Sequence, residues 1–337
     1  MRVSLFRLRL FAAFLLCIAI LALLHAAERE KVEQTLSPGM DPVMVQYESV
    51  RAELLGIVEH EGVQRALVVF RERIVTLPLL SGLCHPLAHE IGHAAYDKYG
   101  LEGAIDVSDD ICGSGYLHGV IETHFAHVED IKTALTMTCP PEAGKCFHGL
   151  GHGLMYASRN NVPQSLSYCD LLSQRSERVQ CAEGVFMENV NTDFTMHPTQ
   201  FLRAEDPFYP CADQPDRYKA ACAFYAPRFY IRLHPDAYRE ALAWCSGVNG
   251  YRSACAKGVG SVAMKQNMHH PKFAEQVCLA SNDAQRQPCI EGLVSYYIVH
   301  FASAEKGESL CPLLQEAHRT TCERVVRESR QFYPSPA

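Results

Sequence analysis

Apolar positions along the chain fall into two patterns. Phe11 to Ala27 is apolar throughout except for His25, and Arg2, Arg7 and Arg9 stand before it. This reads as a signal anchor over residues 1–27, with a cleaved signal peptide as the alternative. Residues 28–48 are polar with two prolines and read as a linker. From residue 49 onward, short apolar segments alternate with polar loops and recur with a period. Cys112, Cys146, Cys181, Cys222, Cys255, Cys289 and Cys322 are spaced by 34, 35, 41, 33, 34 and 33 residues. A second series, Cys139, Cys169, Cys211, Cys245, Cys278 and Cys311, runs 7 to 12 residues ahead of it.

A period near 34 with this texture predicts an α-helical repeat. Helix A ends in a pattern such as Ala241-Leu242-x-x-Cys245, and helix B begins near the second cysteine. Glycine three residues after that cysteine, at Gly115, Gly149, Gly184, Gly258 and Gly292, permits close approach of a neighbouring helix. One disulfide per repeat is the simplest connectivity: 139–146, 169–181, 211–222, 245–255, 278–289 and 311–322. Cys84 and Cys112 are left to bridge the first two repeats. Thiolate zinc sites are the rival reading, and they would need a CxxC spacing that is absent.

Over residues 60–333 this layout resembles the cysteine-stapled tetratricopeptide-like repeats of secreted bacterial proteins. The resemblance implies an all-α, right-handed α-solenoid of about eight disulfide-stapled hairpins behind the membrane anchor. It also implies a concave face that binds a peptide or protein partner. Residues 49–157 are set apart as a histidine-rich part and 158–333 as the remaining cysteine-paired repeats.

The histidines do not follow the repeat. Half of the 16 lie between 85 and 152. LAHEIGHAAY at 87 aligns with FHGLGHGLMY at 147, which pairs His89 with His148 and His93 with His152. The middle repeat contributes His118, and later repeats carry Met187, Arg228, Ser261, Ser295 and Glu328 at that position. Residues four apart share a helix face, and successive B helices lie side by side. His89, His93, His118, His148 and His152 are therefore candidate ligands of a transition metal, zinc first, with iron, copper or nickel as alternatives. The null account is of core histidines bonded to backbone carbonyls. His85, His124 and His127 read as ordinary, as do His197, His234, His269, His270, His300 and His318.

His89-Glu90-Ile91-Gly92-His93 is similar, over about ten residues, to the HExxH zinc helix of metallopeptidases. The similarity implies His89 and His93 as ligands, Glu90 as the catalytic base and Glu122 as a further ligand. Tyr99 stands where metzincins place a third histidine, and Gly149 replaces Glu90 in the aligned repeat. Ser114 lacks an acid and a glycine elbow for a nucleophilic role. Tyr96 and Tyr156 occupy matching positions, either packed between helices or facing a substrate.

Composition adds limits. Hydrophobic residues at 48% exclude a disordered chain, and a single apolar run excludes a polytopic membrane protein. Net charge is −7, and the part after residue 27 has 28 basic against 38 acidic groups, so nucleic acid is not an expected partner. The expected location is an inner-membrane anchor with a periplasmic or other extracytoplasmic domain, or secretion if the signal is cleaved. Three functions fit: a metal-dependent hydrolase or redox enzyme, a non-enzymatic interaction scaffold, and a structural metal site capping the N-terminal end.

Overall fold

Short polar side chains set the helix starts. Asp41, Asp130, Asn161, Asn282 and Ser303 each accept a hydrogen bond from a backbone N–H of the turn that follows. The computed structural model describes residues 41–140, 143–191 and 199–333. The expected anchor over 1–27, and residues 28–40 of the expected linker, lie outside them.

All regular structure among the described residues is helical. The helices are α1 (Pro42–His60), α2 (Val63–Thr76), α3 (Cys84–Asp106), α4 (Ile111–His127), α5 (Ile131–Thr138), α6 (Gly144–Ala157), α7 (Val162–Cys169) and α8 (Arg175–Asn191). They continue as α9 (Asp216–Leu233), α10 (Tyr238–Ser246), α11 (Arg252–Gln266), α12 (Pro271–Leu279), α13 (Asp283–Phe301), α14 (Ala304–Leu310) and α15 (Glu316–Ser329). Short 3₁₀ segments cover Pro78–Leu83, Cys211–Asp213 and Cys311–Leu313. The linker reading of 42–48 is corrected: Asp41 caps these residues and Pro42 sits in the first turn, where its missing N–H costs nothing. No helix among the described residues is long and apolar enough to cross a membrane.

All seven expected disulfides are present: 84–112, 139–146, 169–181, 211–222, 245–255, 278–289 and 311–322. The six that follow the first join the short A segment of each hairpin to its B helix. The repeat glycine then sets helix spacing. A Cβ on Gly184 would overlap the His148 carbonyl oxygen, so α8 can lie on α6 only with glycine there. Gly258 and Gly292 meet the preceding B helix in the same way, at the Phe224 and Lys257 carbonyls.

The B helices contact one another in order: α3 with α4, then α6, α8, α9, α11, α13 and α15. The curvature brings the far end back to the start. α13 packs on α4, and the 3₁₀ segment 78–83 packs on α11. Ser81 bonds His269 at 2.8 Å, and Lys145 of α6 lies over the ring of Tyr333. The expected open concave face is therefore closed over by the chain itself. Six helices, α4, α6, α8, α9, α11 and α13, ring a cavity of about 250 Å³. The division expected between 157 and 158 has no counterpart in the core, because Leu150 and Leu154 pack in one cluster with Val185 and Phe186.

Candidate metal centre

The imidazoles gather where α3, α4 and α6 meet. A Cβ on Gly119 of α4 would overlap the His89 carbonyl oxygen of α3, so this glycine brings the two helices close enough for their histidines to touch. The Cys84–Cys112 disulfide ties the same two helices at one end. Beside it α4 opens with three left-handed residues, Cys112, Gly113 and Ser114 (φ 59°, 69° and 59°). Two of these are not glycine, so the turn stores on the order of 1–2 kcal/mol each. Its product is a carbonyl: Cys112 O accepts a hydrogen bond from His85 Nδ1 at 2.6 Å.

Three imidazoles share that arrangement. His85 Nδ1 donates to a carbonyl, His89 Nδ1 donates to Glu122 Oε2 at 3.0 Å, and His152 Nδ1 donates to Glu188 Oε2 at 2.9 Å. These oxygens only accept, so each Nδ1 carries the proton, and in a neutral ring Nε2 is left with its lone pair. Burial first, and neighbouring imidazoles second, hold His85, His118 and His148 well below the ordinary histidine range. Burial brings His152 down to about 3 even though Glu122 opposes it. These four rings are neutral at pH 7, the form that binds metal.

The lone pairs converge. His85 Nε2 and His89 Nε2 face each other at 2.9 Å, a separation satisfied by one shared proton or by one cation bound to both. The rings of His118 and His152 stack at 4.6 Å, and His148 lies 5.0 Å from His118. Three sets have ligand atoms mutually within 4.8 Å: His85–His89–His118, His118–His148–His152 and His89–Glu122–His152. His118 Nδ1, His152 Nε2 and Glu122 Oε1 are buried without a hydrogen-bond partner. Each such orphan costs about 1–3 kcal/mol, and three in one place fit a set of ligand atoms. A fourth set, Cys84–Cys112–His300, is accounted for by the disulfide.

Glu122 is the acidic hub. Its side chain is 1% exposed, and its Oε2 accepts from both His89 and His93. Burial alone would raise this carboxyl, but His89, His93 and His152 together hold it well below the usual carboxylate range. The buried charge is thus compensated by imidazole N–H groups.

Two expected site residues are placed elsewhere. His93 belongs to none of the three imidazole-bearing sets; its Nε2 donates to Glu122 at 2.9 Å, and its ring is 32% exposed. Glu90 accepts from Arg51 Nε of α1 at 2.9 Å. One residue past His89 on a helix is a rotation of about 100°, so its carboxylate leaves the histidine face. The geometry thus groups His89 with His85 rather than with the rest of the HExxH segment, where Glu90 pairs with Arg51 and His93 with Glu122.

Two residues were missed. His85, taken as ordinary beside Pro86, is the partner of His89 and lines the cavity. Counting from the disulfide cysteine would have found it. His85 and His89 stand 1 and 5 residues after Cys84, much as His148 and His152 stand 2 and 6 after Cys146, and His118 stands 6 after Cys112. The alignment of HExxH with the third repeat is one helical turn out of phase with that count. Glu188 comes from α8, whose repeat has no histidine, and nothing in its local sequence marks it. His124 contacts Tyr96, and His127 bonds the Thr123 carbonyl. Tyr96 accordingly packs between helices.

His85, His118 and His148 also form part of the wall of the central cavity, so the ligand set borders open space. No protein-family model, curated protein or solved structure matches this chain.

Proposed function

We propose that the chain is an exported, membrane-tethered helical-repeat metalloprotein whose ion sits between α3, α4 and α6 and acts on a molecule in the adjoining cavity. The observation that carries this is the shared tautomer of His85, His89 and His152: Nδ1 bound to oxygen, and Nε2 turned toward its neighbours. Ligating histidines are oriented in this way by a carbonyl or carboxylate behind them. The ligands are drawn from His85, His89, His118, His148 and His152, with Glu122 as acidic ligand or counter-charge. Imidazole-rich donors favour zinc, with iron and copper as the alternatives. When bound, such an ion supplies a Lewis acid or a redox centre at the cavity wall.

A catalytic role is favoured over a structural cap because three candidate ligands border the cavity, whereas structural sites are closed. The scaffold reading is disfavoured because the ring encloses a space of small-molecule size. Seven disulfides support an oxidising compartment, reached through residues 1–27 as anchor or signal. The hairpins are read as a solenoid wound tightly enough to close on itself.

Elemental analysis of protein recovered from an oxidising compartment tests the metal. We expect roughly one transition-metal ion per chain, retained through purification, with a loss of at least ~10-fold in H118A/H152A. Metal-free protein with native circular dichroism and no free thiol would overturn the reading.

A further inference from the structure

The histidines form one side of the cavity, and the other side is differently built. Arg228 of α9 and Lys265 of α11 both reach its wall. Neither has a carboxylate partner among the described residues. Arg228 meets only the amide oxygen of Asn191, at 3.2 Å, and lies over the Tyr225 ring. Lys265 makes no hydrogen bond or ion pair among the described residues, although it is largely buried. The third wall cation, Lys145, is already paired with Asp110 at 2.6 Å.

Among the described residues no Asp or Glu lines this cavity. Two carboxyls stand behind the wall: Asp110, already bonded to Lys145 and Ser114, and Glu183, beside Tyr225 and Lys257, which burial pushes up to about 7. Unpaired cations in a partly buried space are unfavourable unless something compensates them. Burial and the two arginines Arg228 and Arg232 bring Lys265 itself down to about 7. Neutral donors share the wall with the cations and the histidines: the hydroxyls of Ser261, Ser295 and Tyr296. Met187, Phe224 and Val299 supply apolar wall.

We propose that this cavity binds a small organic anion, a carboxylate or phosphate monoester, with its charged group held by Arg228 and Lys265 and its uncharged body directed toward the imidazoles. The anion site is built by α9, α11 and α13, so it goes beyond the metal reading and is separable from it. Only the contact of the bound molecule with an ion rests on that reading.

The test is titration calorimetry of the full chain, metal-loaded and after chelation, with phenyl phosphate, benzoate and neutral benzyl alcohol as probes. We expect at least one anion to bind and the alcohol not to. R228Q and K265Q should each weaken binding by at least ~10-fold, the scale of losing a charge-assisted hydrogen bond, while K272Q at an exposed site changes nothing. Preference for phenyl phosphate assigns a phosphate monoester, and preference for benzoate a carboxylate. Binding that survives chelation upholds the anion site even if the metal reading fails. If R228Q does not fold, K265Q and the salt dependence of wild-type binding still decide the matter. The proposal is overturned if neither anion binds, if the alcohol binds as well, or if both variants bind like wild type. It is equally overturned if binding requires metal and ignores both substitutions.

Discussion

The helices before residue 160 and those after 215 are built alike and carry different side chains to the ring. Both have a disulfide from the A segment to the start of the B helix, and both have glycine where the next helix crosses. Both turn one position of the B helix into the ring. At that position α4 presents His118, α8 Met187, α9 Arg228, α11 Ser261 and α13 Ser295, and all five line the cavity. Cysteine and glycine face neighbouring helices and fix the scaffold, whereas the inward position is free of packing duty. One side of the ring can therefore carry imidazoles and the other cations and hydroxyls without disturbing the fold.

The two disulfides at the ends of the series give the largest test of that comparison. Cys84–Cys112 closes 28 residues and Cys311–Cys322 closes 11. On loop length, C84S/C112S should lose about 4 kcal/mol and C311S/C322S about 3 kcal/mol, measured by denaturant unfolding after chelation. Metal content should separate them more sharply. The first pair holds the turn whose carbonyl orients His85. Its removal should weaken metal binding by ~10–100-fold, the usual cost of an outer-shell partner, while the second variant binds normally. Equal metal affinity in both would mean that this disulfide only staples the scaffold.

These contrasts show what was legible in the chain. Six disulfides followed from cysteine spacing, because each bridge is local to one hairpin, and Cys84–Cys112 joins the two cysteines left over. Histidine clustering located the imidazole group, since three adjacent B helices bring their histidines together. Closure of the ring was not legible, because it sums small rotations over many repeats and no single residue encodes it. Glu188 was hidden for a related reason: it reaches His152 from a helix 36 residues on. His93 and Glu90 stand apart from the imidazole group, paired with Glu122 and Arg51, because a short motif carries no information on the phase of the repeat.

Buried carboxyls sharpen the comparison by pH. Glu122, among imidazoles, is held below the usual range, while Glu183 on α8, lacking such donors, is pushed up to about 7 by burial, with Lys257 opposing. For Glu183 the folded chain binds more protons than the unfolded chain between pH 4.5 and about 7. Stability from this group is thus present below pH 4.5 and lost as pH rises through about 7. Replacement by Gln removes that dependence. Relative to wild type, E183Q should be unchanged near pH 4 and more stable by about 2 kcal/mol at pH 8, a value below the full linkage figure because the group is partly solvated. Denaturant melts across pH on chelated protein measure this, and a difference independent of pH would place the gain elsewhere.

The smallest effect expected is also the one that separates the motif from the geometry. If HExxH described this site, E90Q would abolish any metal-dependent activity and leave stability alone. Glu90 instead pairs with Arg51 at a side-chain exposure of 27%, so its loss should cost no more than about 1 kcal/mol. Metal content should be unchanged. E122Q offers the matched comparison one helix away. An amide can still accept from His89 or His93, but it brings no charge to offset the imidazole N–H groups and places an NH₂ where an acceptor is needed. It should reduce metal retention at least ~10-fold while the fold, held by its disulfides, persists. Measured together by elemental analysis and thermal melting, the pair turns on which carboxylate the imidazoles actually face. A metal-dependent activity lost from E90Q while its metal is kept would restore the peptidase-like reading and discard the one drawn from the ring.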